Sequence, residues 1–291
     1  MQKKSFLFCH PGALGDFILI WPVLISMRQL MPEYEFTAIG QLPYLQIAQR
    51  LNLLDNLHDV NARYLTNFFS GEKFPSQLGK PAGAILWLTH SDEMRNVLQS
   101  VVQQPIITLS PRPAIQHHIS IYYLQQVQRY YPITFSNSIV SKIEFRLRKK
   151  NGNLIVIHPG SGSSKKNFST TFYKTVFELF KERGFSNVSI LLGPAEIEQH
   201  LNEELKSTSL LFSENLDQLL KIFQTTALYV GNDSGVSHLA GIFGIPSIVL
   251  YKSTNPAVWG VMGKRVHLIS GKQEEVVFNQ IKNVIESTKI P

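Results

Sequence analysis

Short apolar runs rich in β-branched and aromatic residues alternate with stretches of helical period along the first half of the chain. Strands that alternate with helices in this way are typical of parallel βαβ units, so the pattern predicts an α/β fold. The predicted strands here are 5–10, 35–40, 84–89 and 106–110. The predicted helices are 17–31, 43–53, 92–102 and 117–131.

A charged, turn-forming segment, "RLRKKNGN" (146–153), interrupts this alternation, and the apolar run "LIVIHPG" then restarts it. We therefore predict an N-terminal Rossmann-like domain, 1–148, a second Rossmann-like domain, 149–272, and a C-terminal helical segment, 273–291. The second half has predicted strands at 154–158, 188–193, 209–213, 227–230 and 247–251. Its predicted helices are 170–183, 195–206, 216–225, 235–243 and 273–287.

Two α/β domains of this kind are expected to carry parallel sheets that face each other across a cleft. Open parallel sheets bind ligands just beyond the carboxyl ends of their strands. The chemistry is therefore expected in the loops that follow strands.

The net charge of the chain indicates mainly which kinds of partner it could bind. Lys and Arg exceed Asp and Glu by 28 − 21 = 7, which suits an acidic ligand, an anionic membrane surface or nucleic acid, and equally a merely solvated basic surface. The longest apolar stretch is too short to span a bilayer, and the residues after "MQKK" do not form a signal peptide, so no export is predicted. Cys9 is the single cysteine and is expected to be a buried thiol in a reducing compartment.

The first loop after a predicted strand is "HPGALGDF" (10–17). Gly12 and Gly15 allow a tight turn, and Asp16 falls at the start of the next helix, where a carboxylate can cap free amides. A dinucleotide fingerprint needs a third glycine and an acidic residue about twenty positions further on. The second predicted strand ends instead in "IGQL", so NAD binding is not predicted.

A second loop, "HPGSGSSKKNFS" (158–169), also links a strand to a helix. Small residues leave successive amides accessible, the helix N-terminus adds positive potential, and Lys165 and Lys166 add full charges, which together predict a phosphate site. The order of a Walker loop is missing, which argues against ATP hydrolysis. Simply solvated lysines are the alternative interpretation.

The third loop, "GNDSG" (231–235), follows another buried strand. Asp233, Ser234 and His238 fall on the first turns of the next helix, with Ser234 and His238 on roughly the same face. A carboxylate or imidazole in an apolar layer needs a partner or a cleft. Because the glycine pattern of a nucleophile elbow is absent, we predict a polar pocket lining that faces a ligand, with a self-satisfied helix cap as the alternative.

In their order and spacing these loops resemble glycosyltransferase family 9, the lipopolysaccharide heptosyltransferases. The resemblance is strong over 154–256 and clear over 12–32. The matching pieces are "GALGDFILIWPVLISMRQLMP", "IHPGSGSSKKNFS", "LLGPAE" and "YVGNDSGVSHLAGIFGIPSIVLYKSTNP". The sequence departs from the family's pattern at "YKSTNP" (251–256), where an aromatic-glycine-proline-Thr-Asp-Pro run is usual, and at "CHPGALG", where a basic residue usually precedes the glycine loop.

The resemblance implies a GT-B fold whose final helix returns to the N-terminal domain. It also implies inverting transfer of a sugar from a nucleotide donor, usually ADP-heptose, with no cofactor and no tightly held metal. Asp16 matches the general base and Lys166 the lysine that contacts the donor diphosphate, and these two are the expected catalytic residues. The expected donor-binding residues are Gly12, Gly15, Ser161, Gly162, Ser163, Lys165, Glu196, Asp233, Ser234, Gly235 and His238.

Physical chemistry agrees with these roles. Inverting transfer needs a carboxylate that takes the acceptor's hydroxyl proton while the sugar is attacked from the face opposite the leaving diphosphate. Amides and a lysine stabilise the charge that grows on the departing phosphate.

The resemblance implies three partners: a nucleotide sugar, a phosphorylated lipid or glycan acceptor, and an anionic membrane surface. The expected location is the cytoplasm, peripheral on the inner face of the cytoplasmic membrane. Nucleic acid is not expected, because no recognised binding pattern accompanies the basic run "RLRKK" (146–150). The alternatives are a GT-B enzyme that uses another nucleotide sugar, an epimerase of nucleotide sugars, or a non-catalytic module that binds a nucleotide or lipopolysaccharide.

Overall fold

The computed structural model describes residues 4–89, 92–145 and 152–287. The chain divides into two compact units, Met1–Ile139 and Val140–Pro291. The boundary predicted between residues 148 and 149 lies in the segment 146–151, outside the described residues, and stays a prediction.

The first unit is built on a parallel sheet with strand order β3-β2-β1-β4-β5. Its elements are β1 (Ser5–His10), α1 (Leu14–Leu19), α2 (Trp21–Leu30), β2 (Glu35–Gly40), α3 (Leu42–Arg50), β3 (Asn56–Asp59), α4 (Thr66–Phe69), β4 (Pro81–Trp87), α5 (Asp92–Gln99), β5 (Ile106–Leu109) and α6 (Ile119–Gln128). The order reverses between β1 and β4, and ligands of such sheets bind at this switch point. The loop that starts at His10 therefore lies at the edge where a ligand is expected.

A short helix, α7 (Ile139–Lys142), stands at the division between the units. The second unit has a parallel sheet of order β11-β10-β9-β6-β7-β8. Its elements are β6 (Leu154–His158), α8 (Thr170–Glu182), β7 (Val188–Leu192), α9 (Pro194–Glu198), α10 (Leu201–Glu204), β8 (Leu210–Phe212), α11 (Leu216–Phe223), β9 (Thr226–Asn232), α12 (Gly235–Ile242), β10 (Ser247–Tyr251), α13 (Pro256–Trp259), β11 (Val266–Ser270) and α14 (Glu274–Ser287). The order again reverses, between β6 and β9, whose carboxyl ends are in register at His158 and Gly231.

The predicted helix over 17–31 is two helices in the structure. α1 ends at Leu19 and α2 begins at Trp21, with Pro22 in its first turn. Proline has no N–H and clashes with the carbonyl four residues earlier, so a continuous helix is broken before it. The predicted helix over 195–206 is likewise two helices, and it breaks at His200, whose φ of 59° is left-handed.

Sequence patterning missed two of the four edge strands, β3 and β11, and predicted the other two, β5 and β8. β3 is "NLHD" and β11 is "VHLIS", and most of their residues are partly or fully exposed. An edge strand that is half solvated has no continuous apolar run, which is the signal that identified the central strands.

The last helix, α14, contributes its apolar face to the core of the second unit. Val277, Ile281 and Ile285 are buried in the same cluster as Phe180 of α8 and Ile269 of β11. The spacing of four residues places these three side chains on one side of the helix. The return of this segment to the N-terminal domain, which the family resemblance implies, stays a prediction.

Candidate functional site

An ion pair joins the loops that follow β6 and β9. Lys166 lies in a turn of 3-10 helix, Ser164–Lys166, and its Nζ is 2.7 Å from Oδ2 of Asp233. The side chain of Asp233 is 5% exposed, whereas that of Lys166 is 31% exposed. The carboxylate is therefore enclosed, and the ammonium is the member of the pair that solvent or a ligand reaches.

Asp233 has three partners in the second unit. Thr254, in the loop after β10, donates a 2.6 Å hydrogen bond to Oδ2, and His238 places Nε2 3.7 Å from Oδ1. Burial alone raises the pKa of this carboxyl, but His238, then Lys166 and Thr254, lower it more, so the pKa lies well below its ordinary value. Asp233 is thus an anion held by its own chain, and it needs no ligand to be satisfied.

The helix α12 begins next to this carboxylate. Ser234 is its N-cap, and the Ser234 hydroxyl accepts a hydrogen bond from the N–H of Ser237. Gly235 is the first helical residue, so its N–H belongs to the group of amides that a helix leaves without an intrahelical partner. The α12 N-terminus therefore offers positive potential beside the Lys166 ammonium.

A fully buried amide, Asn232, ties this cluster to the loop after β6. Its Nδ2 donates to the Pro159 carbonyl at 2.6 Å and to Oδ1 of Asn167 at 3.1 Å, while Tyr173 of α8 donates to its Oδ1. Ser161 also donates to Oδ1 of Asn167, at 2.6 Å. These bonds fix the loop 158–169 on the end of β9 and so position Lys166.

The backbone of Ser163 extends this network, because its carbonyl accepts from the Ser161 hydroxyl at 2.8 Å and its N–H donates to that hydroxyl at 3.3 Å. Gly162, Ser163 and Lys165 are exposed. The N-terminus of α8, which was expected to help bind phosphate, is met by the chain's own Glu274, which accepts hydrogen bonds from the N–H and the hydroxyl of Ser169 at 2.7 and 3.0 Å. Glu274 is thus an internal anion at the N-cap of α8, and the predicted phosphate site in this loop stays a prediction.

Glu196 lies in a separate buried contact. Its Oε2 accepts from the N–H of Gly193 at 2.8 Å, and its Oε1 is 3.8 Å from Nε2 of His158. Burial raises the pKa of Glu196, but the His158 imidazole and the Gly193 amide lower it by more than burial raises it. The pKa of Glu196 therefore lies below its ordinary value. A Cβ atom at Gly160 would overlap this carboxylate, so glycine there is required by close packing. The predicted contact of Glu196 with a nucleotide stays a prediction.

The glycine loop of the first unit carries Asp16. The N-cap residue of α1 is Ala13, and Asp16 lies two residues inside the helix, in its first turn, so the interpretation of Asp16 as the N-cap residue is wrong. Asp16 is half-buried in the first turn, and its charge contributes, after burial, to raising the pKa of Tyr123. Gly12 packs on His10, because a Cβ there would lie 2.9 Å from the imidazole Cε1. Gly15 is the residue before Asp16.

Three residues of the second-unit cluster were not assigned roles from the sequence: Asn167, Asn232 and Thr254. Asn232 interrupts the apolar end of β9, and a buried amide in such a run signals a hydrogen-bonding partner. Thr254 follows β10, the strand next to β9, so the strand order brings it to Asp233. The sequence shows these residues but not their proximity.

Within the described ranges, no group of three or more His, Cys, Asp or Glu side chains is placed to hold a metal ion. No helix among the described residues is both long and apolar enough to cross a membrane.

Comparison with known proteins identifies the chain. Its two parallel-sheet α/β units have the GT-B glycosyltransferase fold. The family model "Glycosyltransferase family 9 (heptosyltransferase)" matches residues 112–286, more than half of the chain. The protein therefore belongs to glycosyltransferase family 9.

Solved structures of similar fold include a family 9 glycosyl transferase from Veillonella parvula, at 16% identity, a TM-score of 0.76 and 99% coverage of both chains. The E. coli heptosyltransferase WaaC with ADP is 16% identical, with a TM-score of 0.74 over 97% of this chain and 99% of that one. E. coli ADP-heptose lps heptosyltransferase II is 13% identical, with a TM-score of 0.68 over 97% and 99%. None of the curated protein sequences matches the chain.

Proposed function

We propose that this glycosyltransferase moves a heptose from ADP-heptose to a lipopolysaccharide inner-core or related glycan acceptor, with inversion at the anomeric carbon. The observation that carries the proposal is the pairing of Lys166 with Asp233 at the switch point of the second sheet, beside the N-terminus of α12. Family membership supports the reaction class, and a fold relative solved with ADP supports the nucleotide.

On the donor side, the groups of the second unit bind the diphosphate. The Lys166 ammonium and the first amides of α12 supply positive charge, and Asp233, held by Thr254 and His238, fixes the direction of the ammonium. As the bond between the anomeric carbon and the phosphate oxygen breaks, the electron pair moves to that oxygen. Preorganised donors stabilise this developing charge more than they stabilise the ground state. These fixed groups act without a cofactor or a tightly held metal.

On the acceptor side, Asp16 takes the proton of the attacking hydroxyl. The hydroxyl oxygen forms a bond to the anomeric carbon on the face opposite the diphosphate, and the configuration is inverted. Asp16 is half-buried and belongs to the glycine loop at the switch point of the first sheet, the edge where ligands of such sheets bind. Gly12 and Gly15 let the backbone of this loop turn closely there.

The test is direct detection of the product. The purified protein is incubated with ADP-heptose and a panel of other nucleotide sugars, each with truncated lipopolysaccharide cores, and sugar addition is measured by mass spectrometry. Heptose added only from ADP-heptose supports the proposal, with Asp16→Asn as the control whose turnover should be strongly reduced. Transfer of another sugar would show that the donor is not ADP-heptose. Epimerisation of a nucleotide sugar would show that the reaction is not glycosyl transfer. ADP binding without turnover of any donor would support a binding module.

Membrane contact is a separate part of the proposal. The formal net charge of +7 is attracted to anionic headgroups, by about 1 kcal/mol for each Lys or Arg near the surface. Vesicles that contain anionic lipid should retain the protein at low salt and release it at high salt, because exposed charges are screened. If neutral vesicles retain as much protein as anionic vesicles do, the proposed peripheral binding at the inner membrane face is wrong.

A further inference from the structure

A second lysine, Lys252, reaches from the loop after β10 to the turn that carries Lys166. Lys252 directly follows Tyr251, the last residue of that strand, and it is partly exposed at the carboxyl edge of the sheet. Its Nζ donates a 2.8 Å hydrogen bond to the backbone carbonyl of Asn167, the residue after Lys166. Lys252 is therefore held at the base of the same turn that presents Lys166.

These contacts fix the position of the Lys252 ammonium but do not take all of its hydrogen-bond donors. It also lies 5.3 Å from the centre of the Phe168 ring, within the range of a cation–π interaction. An ammonium has three donor hydrogens, and the carbonyl of Asn167 takes one of them. The other donors are available to an anion that reaches this edge of the sheet.

The charge balance distinguishes the two lysines. Lys166 is paired with Asp233, whereas none of the described carboxylates forms an ion pair with Lys252. The neighbouring acid, Glu274, is bonded through both oxygens to Ser169. The formal charges of Lys166, Lys252 and Asp233 sum to +1, and Lys252 is the member of the three without an ion pair among the described residues.

We propose that Lys252 is a second cation that binds the diphosphate of the nucleotide donor beside Lys166. The proposal rests on the proposed function, since it assumes a nucleoside diphosphate at this edge. A ligand with several negative charges is held better by two cations than by one, and Lys252 adds a positive charge that no described carboxylate compensates through an ion pair. In this chain, Lys252 supplies that uncompensated charge at the position where the family's usual run has glycine.

The test compares ADP with adenosine by isothermal titration calorimetry. Lys252→Gln keeps a donor for the Asn167 carbonyl but loses the charge, and we expect it to weaken ADP binding about tenfold while adenosine binding is unchanged. Lys252→Arg keeps the charge and should retain most of the affinity. The salt dependence of ADP binding should become shallower in Lys252→Gln, which a purely structural role would not produce. Lys181→Gln is the matched control, because Lys181 also donates to a carbonyl, that of Ser186, but at the end of α8.

Two results overturn the proposal while leaving the proposed function in place: Lys252→Gln binds ADP as the wild type does, or it loses ADP and adenosine equally. If the wild type prefers UDP and Lys252→Gln weakens UDP in the same way, Lys252 keeps its role and the ADP-heptose assignment fails. If the wild type binds neither ADP nor UDP, both proposals are wrong.

Discussion

Lys166 and Asp233 form an ion pair whose anion is enclosed and whose cation reaches the surface, with Nζ and Oδ2 2.7 Å apart. The carboxylate acts as an anchor for the ammonium, since Thr254 and His238 hold it from other directions. A ligand that approaches this edge of the second sheet therefore meets a fixed positive charge. This arrangement also makes part of the stability depend on pH.

Asp233→Asn should lower the free energy of unfolding more at neutral pH than in acid. The lowered pKa of Asp233 means that its stabilisation is present above the ordinary value of 3.8 and is lost as the pH falls below it. Near pH 7 we expect a loss of about 1–3 kcal/mol, because Lys166 and Thr254 lose a charged acceptor. Urea unfolding near neutral pH and at about pH 3 measures both values. An equal deficit at the two pH values would contradict this account.

Tyr173→Phe should destabilise the second unit although it removes a single oxygen. The hydroxyl of Tyr173 donates to Oδ1 of the fully buried Asn232, and no solvent is available to replace it. An unsatisfied buried acceptor costs about 1–3 kcal/mol, which urea denaturation resolves. Tyr130→Phe is the control. Because Tyr130 is 55% exposed, this substitution should change the free energy of unfolding very little. Similar values for the two variants would show that Asn232 is not the hub of this network.

Gly160→Ala should cost stability through Glu196. The added methyl group would occupy the space of the Glu196 carboxylate, which then leaves the Gly193 amide and His158. We expect a loss of about 1–3 kcal/mol from overpacking.

A double-mutant cycle isolates this contact. In the background of Glu196→Ala, Gly160→Ala should cost clearly less, which gives a coupling energy between the two positions. Gly162→Ala is the matched control, because no atom lies within 4 Å of a Cβ at that exposed position. Additive effects of Gly160→Ala and Glu196→Ala would contradict the contact.

His10 should make the chain less stable as the pH falls towards 4. Burial lowers the pKa of His10 from 6.5 to about 4, so between these values the folded chain keeps it neutral while the unfolded chain protonates it. Unfolding then takes up a proton, and the free energy of unfolding decreases with falling pH by at most about 1.4 kcal/mol per unit. The difference between wild type and His10→Gln should rise with pH across this window and be flat above it. A difference that does not change with pH would show that the folded chain does not lower the pKa of His10.

The central strands and the edge strands β5 and β8 could be predicted from the sequence, whereas the edge strands β3 and β11 could not, for a physical reason. β6 and β10 are buried on both faces, so they are continuous apolar runs in the sequence, and their bounds were predicted correctly. β3 and β11 pair on one side only and keep polar residues, which leaves no such run.

The site divides in a similar way. That the loops of Lys166 and Asp233 lie at one edge of the sheet could be predicted because each loop follows a strand, while the roles of the two residues stay predictions. Their partner Thr254 could not, because its contact depends on β10 lying next to β9, and strand order is a property of the folded sheet. The enclosure of Asp233 by its own chain, and the occupation of the α8 N-terminus by Glu274, are likewise long-range pairings that local patterns do not contain.

The division of work between Asp16 and Lys166 is the central claim, and paired measurements of ADP affinity and turnover test it most directly. Asp16→Asn should keep the ADP dissociation constant of the wild type while turnover falls by about 10²-fold or more, because the proton acceptor is lost. Lys166→Ala should weaken ADP by about tenfold and also lower turnover, because a charged contact to the diphosphate is removed. An equal loss of ADP affinity in the two variants would contradict the account.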